Sequence, residues 1–218
     1  MCGRYSFGDK KFVNVQWAGF KKVITKDGVK VVEELVVKPN YNAAPSQIMP
    51  VFTKKDEEPQ LDFLKWGIER SVGPDLKKDI INTRSDKAFE RFWNNIVTHE
   101  RCLIPATSFY EWKTTKDGKK PYLIKVKGDK PFMFAGITHD GTYSIMTTEP
   151  NKEMREIHNR MPVILHPEDY DKWLADTDSR EDLEPLLRPL EDGALELYEV
   201  SSAVNNVRNN YPELLKPV

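Results

Sequence analysis

Short runs of β-branched and aromatic residues, bordered by turn-forming residues, constrain the fold of this chain more than any other feature. Runs of this kind are typical of strands that pack at least one face into a core. The segments with this character are Val29–Val37, Ile48–Phe52, Leu61–Trp66, Arg101–Pro105, Tyr122–Val126, Phe132–Ile137, Tyr143–Thr148, Pro162–Leu165 and Leu195–Val200. They predict a curved antiparallel sheet or an open barrel.

A smaller part of the chain has helical periodicity, so we predict a strand-rich α+β fold with three or four flanking helices. Apolar residues recur at i, i+3, i+4 and i+7 in Asp86–Val97, with Ser85 as the expected N-cap, and again in Asn151–Arg160. Glu168–Leu174 follows a proline suited to a helix start. Phe12–Phe20 is a candidate for a fourth helix.

Composition limits the class of protein. The chain has 218 residues, of which 39% are hydrophobic and 31% charged, and no linker divides it, so residues 1–218 predict one globular domain. It has no run of about 18 apolar residues and no apolar leader, so we expect neither a membrane span nor a signal peptide. We expect the protein in the reducing cytoplasm.

The chain has two cysteines, and its histidines lack the spacing of metal ligands, so we predict no metal site and expect no cofactor. The net charge of -1 disfavours coating of nucleic acid through bulk charge.

The first residues can act as a chemical reagent. Because Cys2 and Gly3 are small, the initiator Met1 can be removed, which would make Cys2 the first residue of the mature chain. A terminal cysteine carries an amine with a pKa of about 7.7–8.0 and a thiol with a pKa of about 8.5. The neutral amine can attack an aldehyde to give an imine, and the nearby thiol can then close a five-membered thiazolidine ring. The alternative reading is an ordinary buried thiol near a chain end.

Seven separated blocks of sequence together resemble one family. They are MCGRYSF at Met1–Phe7, NYNAAPSQ at Asn40–Gln47, NTRSD at Asn82–Asp86, RCLIPATSFYEW at Arg101–Trp112, FAGIT at Phe134–Thr138, HNRMPVIL at His158–Leu165 and VNNVRNN at Val204–Asn210. In this order they closely resemble the SRAP family, the SOS-response-associated peptidases that act on abasic sites. The resemblance implies an SRAP-type fold and a covalent thiazolidine crosslink between Cys2 and abasic sites in single-stranded DNA. It also implies a thiol autopeptidase activity that exposes the Cys2 amine, and a protein that we expect to be monomeric and nucleoid-associated when it acts on DNA.

Glu111 is the first candidate partner of Cys2. Strand alternation places Glu111 on the face of Phe109, and Tyr110 with Trp112 on the other. A carboxylate on an apolar wall is a better proton acceptor than one in water. The alternative is a solvated glutamate on an edge strand. The resemblance implies that Glu111 is catalytic, orienting Cys2 and taking a proton from its amine or thiol.

His158 and Asn82 complete the catalytic candidates. His158 lies in the last predicted helical turn before Pro162, where the carboxyl end of a helix favours a protonated imidazole that could help to open the sugar ring. On position alone it would be a core histidine, and Asn159 stands where the family usually has aspartate. Asn82 alone would suggest turn chemistry. The resemblance places both His158 and Asn82 at the site.

The remaining candidates concern DNA. Arg4 and Arg84 are suited to clamping phosphates, although a surface ion pair is the simpler reading of Arg84. Trp66 is either a platform for an unstacked base or a core residue. The sequence departs from the family after Trp66, at Ile68–Ser71. The other residues predicted to contact DNA or to shape the wall beside Cys2 are Arg160, Asn42, Pro45 and Arg208.

Two functions of other classes compete with a crosslinking enzyme that has lyase and peptidase activity. Glutamine amidotransferases with an N-terminal nucleophile also begin with Met-Cys-Gly. Their similarity to this chain is confined to those residues. A non-enzymatic single-strand binding module would explain the arginines. It would not explain a terminal cysteine with glutamate and histidine partners, or the near-neutral net charge.

Overall fold

The computed structural model describes residues 2–8, 22–26, 29–33, 38–55, 58–73 and 76–218, and for residues 22–26, 29–33, 58, 59 and 72 it describes the backbone alone. The predicted helix Phe12–Phe20 lies outside the described residues. The predicted strand Val29–Val37 is described only as far as Glu33.

Strands form most of the regular structure, as the sequence predicted. In the described residues they are β1 (Arg4–Phe7), β2 (Lys22–Lys26), β3 (Val29–Glu33), β4 (Asn40–Ala43), β5 (Ile48–Lys55), β6 (Glu58–Trp66), β7 (Ile68–Gly73), β8 (Leu76–Ile80), β9 (Asn82–Arg84), β10 (Arg101–Ala106), β11 (Ser108–Thr115), β12 (Gly118–Val126), β13 (Phe132–His139), β14 (Thr142–Thr148), β15 (Met161–Pro162), β16 (Ile164–Leu165) and β17 (Leu195–Glu199). The α-helices in the same residues are α1 (Arg91–His99), α2 (Lys152–Arg155), α3 (Tyr170–Trp173) and α4 (Arg180–Leu183). None of these helices is long and apolar enough to cross a bilayer.

Two sheets organise most of these strands. A five-stranded sheet has the order β17-β12-β11-β1-β4, and an eight-stranded sheet has the order β15-β14-β6-β5-β10-β13-β16 with β9 beside β14. Because β14 also pairs with β13, the strands β14, β6, β5, β10 and β13 close into a ring. The strand-rich α+β prediction is confirmed. Two pairings of β14, with β6 and with β9, are parallel, which the prediction of an antiparallel sheet had not included.

The core has a separate cluster on each face of the ring. One cluster packs the inner residues of β10 and β13 against the five-stranded sheet, and it includes Cys2, Tyr5 and Phe109. The other packs the alternate residues of the same strands against α1, α3 and α4. This division follows from the two-residue period of a strand, which sends successive side chains to opposite faces. Cys2 therefore lies between the two sheets.

The helices are shorter than their apolar periodicity predicted. Residues Ser85–Lys87 form a 3-10 turn, and α1 begins at Arg91 after Glu90, so the prediction of Ser85 as N-cap was wrong. In Asn151–Arg160 only α2 is helical, with the Asn151 side chain accepting the Met154 N–H. α2 ends at Arg155, and beyond it the backbone N–H of Arg160 donates to the His158 ring instead of to a helical carbonyl.

Gly136, in the FAGIT block, lies where β13 is packed most tightly. A Cβ atom there would lie 2.4 Å from Cδ1 of Ile104 and 2.8 Å from Sγ of Cys102. We therefore expect Gly136→Ala to lower the free energy of unfolding by about 1–3 kcal/mol through overpacking. Chemical denaturation measures this, with Gly73→Ala as the control because its nearest contact would be an ordinary 3.8 Å. Equal, small effects of the two substitutions would contradict the packing argument.

Candidate functional site

Cys2 lies two residues before the start of β1 and is completely buried. Its Sγ donates a hydrogen bond to the Arg4 carbonyl oxygen at 3.5 Å. Burial raises the pKa of the Cys2 thiol far above its ordinary value, and the negative charge of Glu111 raises the pKa further. The thiol is therefore neutral in this environment, in contrast to the ordinary pKa assumed from the sequence. Any reaction of its sulfur requires a base to take the proton.

Asn82 holds the backbone of Cys2. It is the first residue of β9, which runs parallel to β14 with Asn82 opposite Ile145. Its Nδ2 donates to the Cys2 carbonyl oxygen at 2.8 Å. The side chain is buried, and among the described residues no donor reaches its Oδ1 atom. An orphaned buried acceptor costs about 1–3 kcal/mol, so Oδ1 is suited to accepting an N–H or O–H group that arrives at Cys2.

Glu111 comes from the strand beside β1. β11 pairs antiparallel with β1, with Tyr110 opposite Arg4, so Glu111 lies next along β11 towards the level of Cys2. Its side chain is 3% exposed, and its charge acts on the Cys2 thiol. Phe109 lies in the same apolar cluster as Cys2, whereas Tyr110 belongs to a different cluster against which Trp112 packs. The predicted alternation of β11 is confirmed, and Glu111 is buried rather than a solvated edge residue.

His158 follows α2 and is half-buried. Its backbone N–H donates to the Met154 carbonyl oxygen at 2.8 Å, and its Nδ1 accepts the Arg160 backbone N–H at 3.1 Å. Because Nδ1 is an acceptor, the hydrogen of the neutral ring resides on Nε2. This bond leaves Nε2 as the ring nitrogen that can donate to a substrate, and the predicted role of His158 as a proton donor remains a prediction.

Arg84 and Arg160 share one carboxylate. Nε of Arg84 donates to Oδ1 of Asp86 at 3.0 Å while its Nη2 donates to Oδ2, and Nη1 of Arg160 lies 3.3 Å from Oδ1. Arg160 is also anchored by its Nη2 to the Thr147 carbonyl oxygen. The hydrogen bond from Arg84 lowers the pKa of Asp86 to about 2. Asp86 and Arg160 line a cleft of about 400 Å³ together with Thr148 and other residues.

Two of the residues that the sequence suggested for the DNA surface, Trp66 and Asn42, are buried in this conformation, and their contacts with DNA remain predictions. Trp66 is fully buried, with its Nε1 donating to the Ile81 carbonyl and its ring stacked on Tyr143 at 6.1 Å, so it offers no face to a base. Asn42 is 1% exposed, and its amide is used in hydrogen bonds within the protein. A tryptophan followed by glycine looks the same in sequence whether a core or a solvent-facing surface surrounds it.

The other predicted contacts differ in what they offer to DNA. Arg4 is half-buried, and its guanidinium already bonds to protein oxygens. Pro45 is half-buried in the turn after β4, and Arg208 is exposed in the C-terminal region. Their contacts with DNA remain predictions.

Sequence reasoning did not single out Asp86, which bonds to two of the predicted DNA-binding arginines. Its one signal is the spacing from Arg84 in the NTRSD block, which lets a short acidic side chain fold back onto the guanidinium. The contact with Arg160 joins residues 74 positions apart and has no local signature. In the described part of the chain, no group of three or more His, Cys, Asp or Glu residues is arranged to hold a metal ion.

The fold and the site define the class: a strand-rich α+β protein in which the second residue is a cysteine buried against a glutamate and an asparagine. The chain belongs to the SRAP family, SOS response associated peptidase, whose model matches residues 1–207.

Similar proteins agree with this assignment. Abasic site processing protein YoqW of Bacillus subtilis (strain 168) is 35% identical over 99% of this chain and 99% of its own. Abasic site processing protein YedK of Escherichia coli (strain K12) is 28% identical, over 82% of this chain and 84% of its own. Among solved structures, a protein from Bacteroides thetaiotaomicron matches with a TM-score of 0.76 over 100% of both chains at 23% identity, which shows a shared fold.

Proposed function

We propose that this protein processes abasic sites in single-stranded DNA by forming a covalent thiazolidine crosslink through Cys2 after removal of Met1. One observation carries the proposal: the second residue of the chain is a cysteine whose backbone is held by Asn82 and whose thiol faces the charge of Glu111. The names of its relatives YoqW and YedK, both abasic site processing proteins, support abasic sites as what the protein acts on. The match over residues 1–207 disfavours the amidotransferase alternative, which rests on the first residues alone.

The first step is uncovering the amine. While Met1 is attached, the nitrogen of Cys2 is an amide and cannot attack an aldehyde. Hydrolysis of the Met1–Cys2 bond releases it, and we include this autopeptidase activity in the proposal. Cys2 has no exposed surface in the described conformation, so the site also has to open before a sugar can reach it.

The second step is covalent capture. The neutral Cys2 amine attacks C1′ of the ring-opened sugar, and loss of one water gives an imine. The thiol then adds to the imine carbon, its proton passes through Glu111 to the imine nitrogen, and the thiazolidine ring closes. Asn82 accepts the N–H of the attacking amine at its Oδ1, and His158 donates from Nε2 as the sugar opens. An imine that does not close can instead lead to strand cleavage, which is the lyase-type activity in the proposal.

The chemistry itself supplies the test. Single-stranded DNA carrying an abasic site should form a heat-stable adduct that is visible on a denaturing gel. DNA carrying a tetrahydrofuran analogue, which has no aldehyde, should bind without forming an adduct. Adducts with both DNAs, or with neither, would refute the proposed function.

Arg84 and Arg160 are proposed to bind DNA phosphate in place of Asp86. The carboxylate occupies the fork of Arg84 that a bidentate phosphate would use, whereas Arg160 keeps its anchor on Thr147 when Asp86 is absent. We therefore expect Asp86→Asn to raise the affinity for undamaged single-stranded DNA by about two- to fivefold, the range of one surface ion pair. Because the pKa of Asp86 is about 2, this gain should not vary between about pH 5 and 9.

Glu90→Gln is the matched control for Asp86→Asn. The negative charge of Glu90 also raises the pKa of Arg84, but the Glu90 carboxylate forms its ion pair with Lys87. Fluorescence anisotropy with a labelled oligonucleotide measures both variants. An equal gain for both would mean that only net charge matters, and a loss of affinity in Asp86→Asn would mean that Asp86 orients the arginines for DNA.

A further inference from the structure

The C-terminal turn of the chain is fastened to the strands that carry the site. We define the C-terminal clasp as residues Ser202–Asn210, which begin with a 3-10 turn at Ser202–Asn205. Val204 is buried in a cluster with Tyr110, on the face of β11 opposite to Phe109. The clasp therefore packs against the five-stranded sheet, on the face opposite to the cluster that contains Phe109 and Cys2.

Arg4 is the main link between the clasp and β1. Its Nη1 donates to the Val204 carbonyl oxygen at 2.7 Å and to Oδ1 of Asn42 at 3.0 Å, and its Nη2 donates to the Asn205 carbonyl oxygen at 3.4 Å. Burial lowers the pKa of Arg4. A guanidinium committed to three protein oxygens is poorly suited to a phosphate, which needs the same donors.

Further bonds tie the clasp to the strands on both sides of β1. On β4, Nδ2 of Asn42 lies 3.2 Å from the Val204 carbonyl oxygen and 3.0 Å from that of Asn209. On β11, Nε1 of Trp112 donates to Oδ1 of Asn205 at 2.8 Å. Since β11 lies on one side of β1 and β4 on the other, the clasp joins three neighbouring strands at the end where Cys2 emerges.

We propose that Arg4 is a positioning residue, which, together with the clasp, fixes the N-terminal strand so that Cys2 faces Glu111. Arg4 lies two residues from Cys2, and the Sγ of Cys2 itself bonds to the Arg4 carbonyl oxygen. On β11, Glu111 lies between Tyr110, which pairs with Arg4, and Trp112. The hydrogen bond from Trp112 to Asn205 therefore fixes the strand that carries Glu111. A displacement of about 1 Å between reacting groups can cost on the order of 100-fold in rate. The inference rests on the proposed crosslinking function.

The test separates positioning from phosphate binding. For Arg4→Gln we expect the crosslinking rate at saturating abasic DNA to fall about 10- to 100-fold. The affinity for DNA carrying the tetrahydrofuran analogue, and its salt dependence, should stay at the wild-type values. Arg84→Gln is the comparison, because loss of one phosphate contact should reduce the slope of log K against log salt by about 0.7.

Each outcome decides between the explanations. A reduced slope of log K against log salt in Arg4→Gln would mean that Arg4 contacts a phosphate. An unchanged crosslinking rate at saturating DNA would mean that the clasp does not position Cys2. Either result overturns the inference. If Arg4→Gln does not fold, Asn205→Ala carries the test, because it removes only an exposed side chain that holds Trp112. It should lower the rate a few-fold at unchanged affinity, and no change in rate overturns the inference. Failure of the wild-type protein to form any adduct would instead refute the proposed function.

Discussion

Replacing Cys2 by alanine should reduce the heat-stable adduct with abasic DNA to below about 1% of the wild-type yield, because ring closure depends on the intramolecular thiol. Alanine is also small, so the general removal of the initiator methionine, which depends on the size of the second residue, does not need the Cys2 thiol and still leaves a terminal amine. We therefore expect the variant to form an imine that borohydride reduction can trap, and to cleave some of the DNA strand by β-elimination. Denaturing gels with and without borohydride measure both products.

Cys102→Ala is the control for this substitution. Cys102 is the other cysteine of the chain and is also fully buried, on β10. Its removal should leave adduct formation intact. An undiminished heat-stable adduct from Cys2→Ala would exclude the thiazolidine mechanism, and loss of the adduct in both variants would point to general damage to the core.

The second large effect is expected from Glu111→Gln. Burial and the charge of Glu111 raise the pKa of the Cys2 thiol, so sulfur cannot attack at neutral pH unless a base removes its proton. Glutamine has nearly the same shape but accepts no proton. The rate of crosslinking should therefore fall by about 100- to 10,000-fold, the usual contribution of a positioned general base.

Single-turnover kinetics at saturating DNA measure this loss, with Glu196→Gln as the control. Glu196 lies on β17 in the same five-stranded sheet, but its side chain is half exposed and it pairs with Lys125. It should crosslink at the wild-type rate. If Glu111→Gln keeps the wild-type rate, proton transfer runs through another group and the proposed role of Glu111 is wrong.

The parts of this molecule that the sequence predicted well are those set by local periodicity. The two-residue alternation of β11 placed Phe109 and Tyr110 on opposite faces, and the structure confirms it. The strand segments of β5, β10, β13 and β14 were also recognised, because each is a short, largely apolar run that is buried on both faces over most of its length. The local sequence pattern is enough to locate a strand when both faces of that strand pack against a core.

The parts that sequence reasoning missed depend on contacts between distant residues. The ring closes through a short parallel pairing of β14 with β6 that includes Tyr143 and Trp66. Trp66, which the sequence left as either a base platform or a core residue, is fully buried there. Arg4 bonds to Val204, 200 positions away, which local periodicity cannot indicate. The periodicity of Asn151–Arg160 was helical, but the helix ends at Arg155, and the Arg160 N–H bonds to the His158 ring rather than to a helical carbonyl.

The central claim is that the aminothiol of Cys2, freed of Met1, combines with a sugar aldehyde. The intact mass of the purified protein, with and without abasic single-stranded DNA, tests it most directly. We predict a free protein that lacks one methionine residue, and an adduct whose mass is the sum of protein and DNA less one water. A protein that keeps Met1 and still forms the adduct, or one that loses Met1 and forms none, would contradict the account.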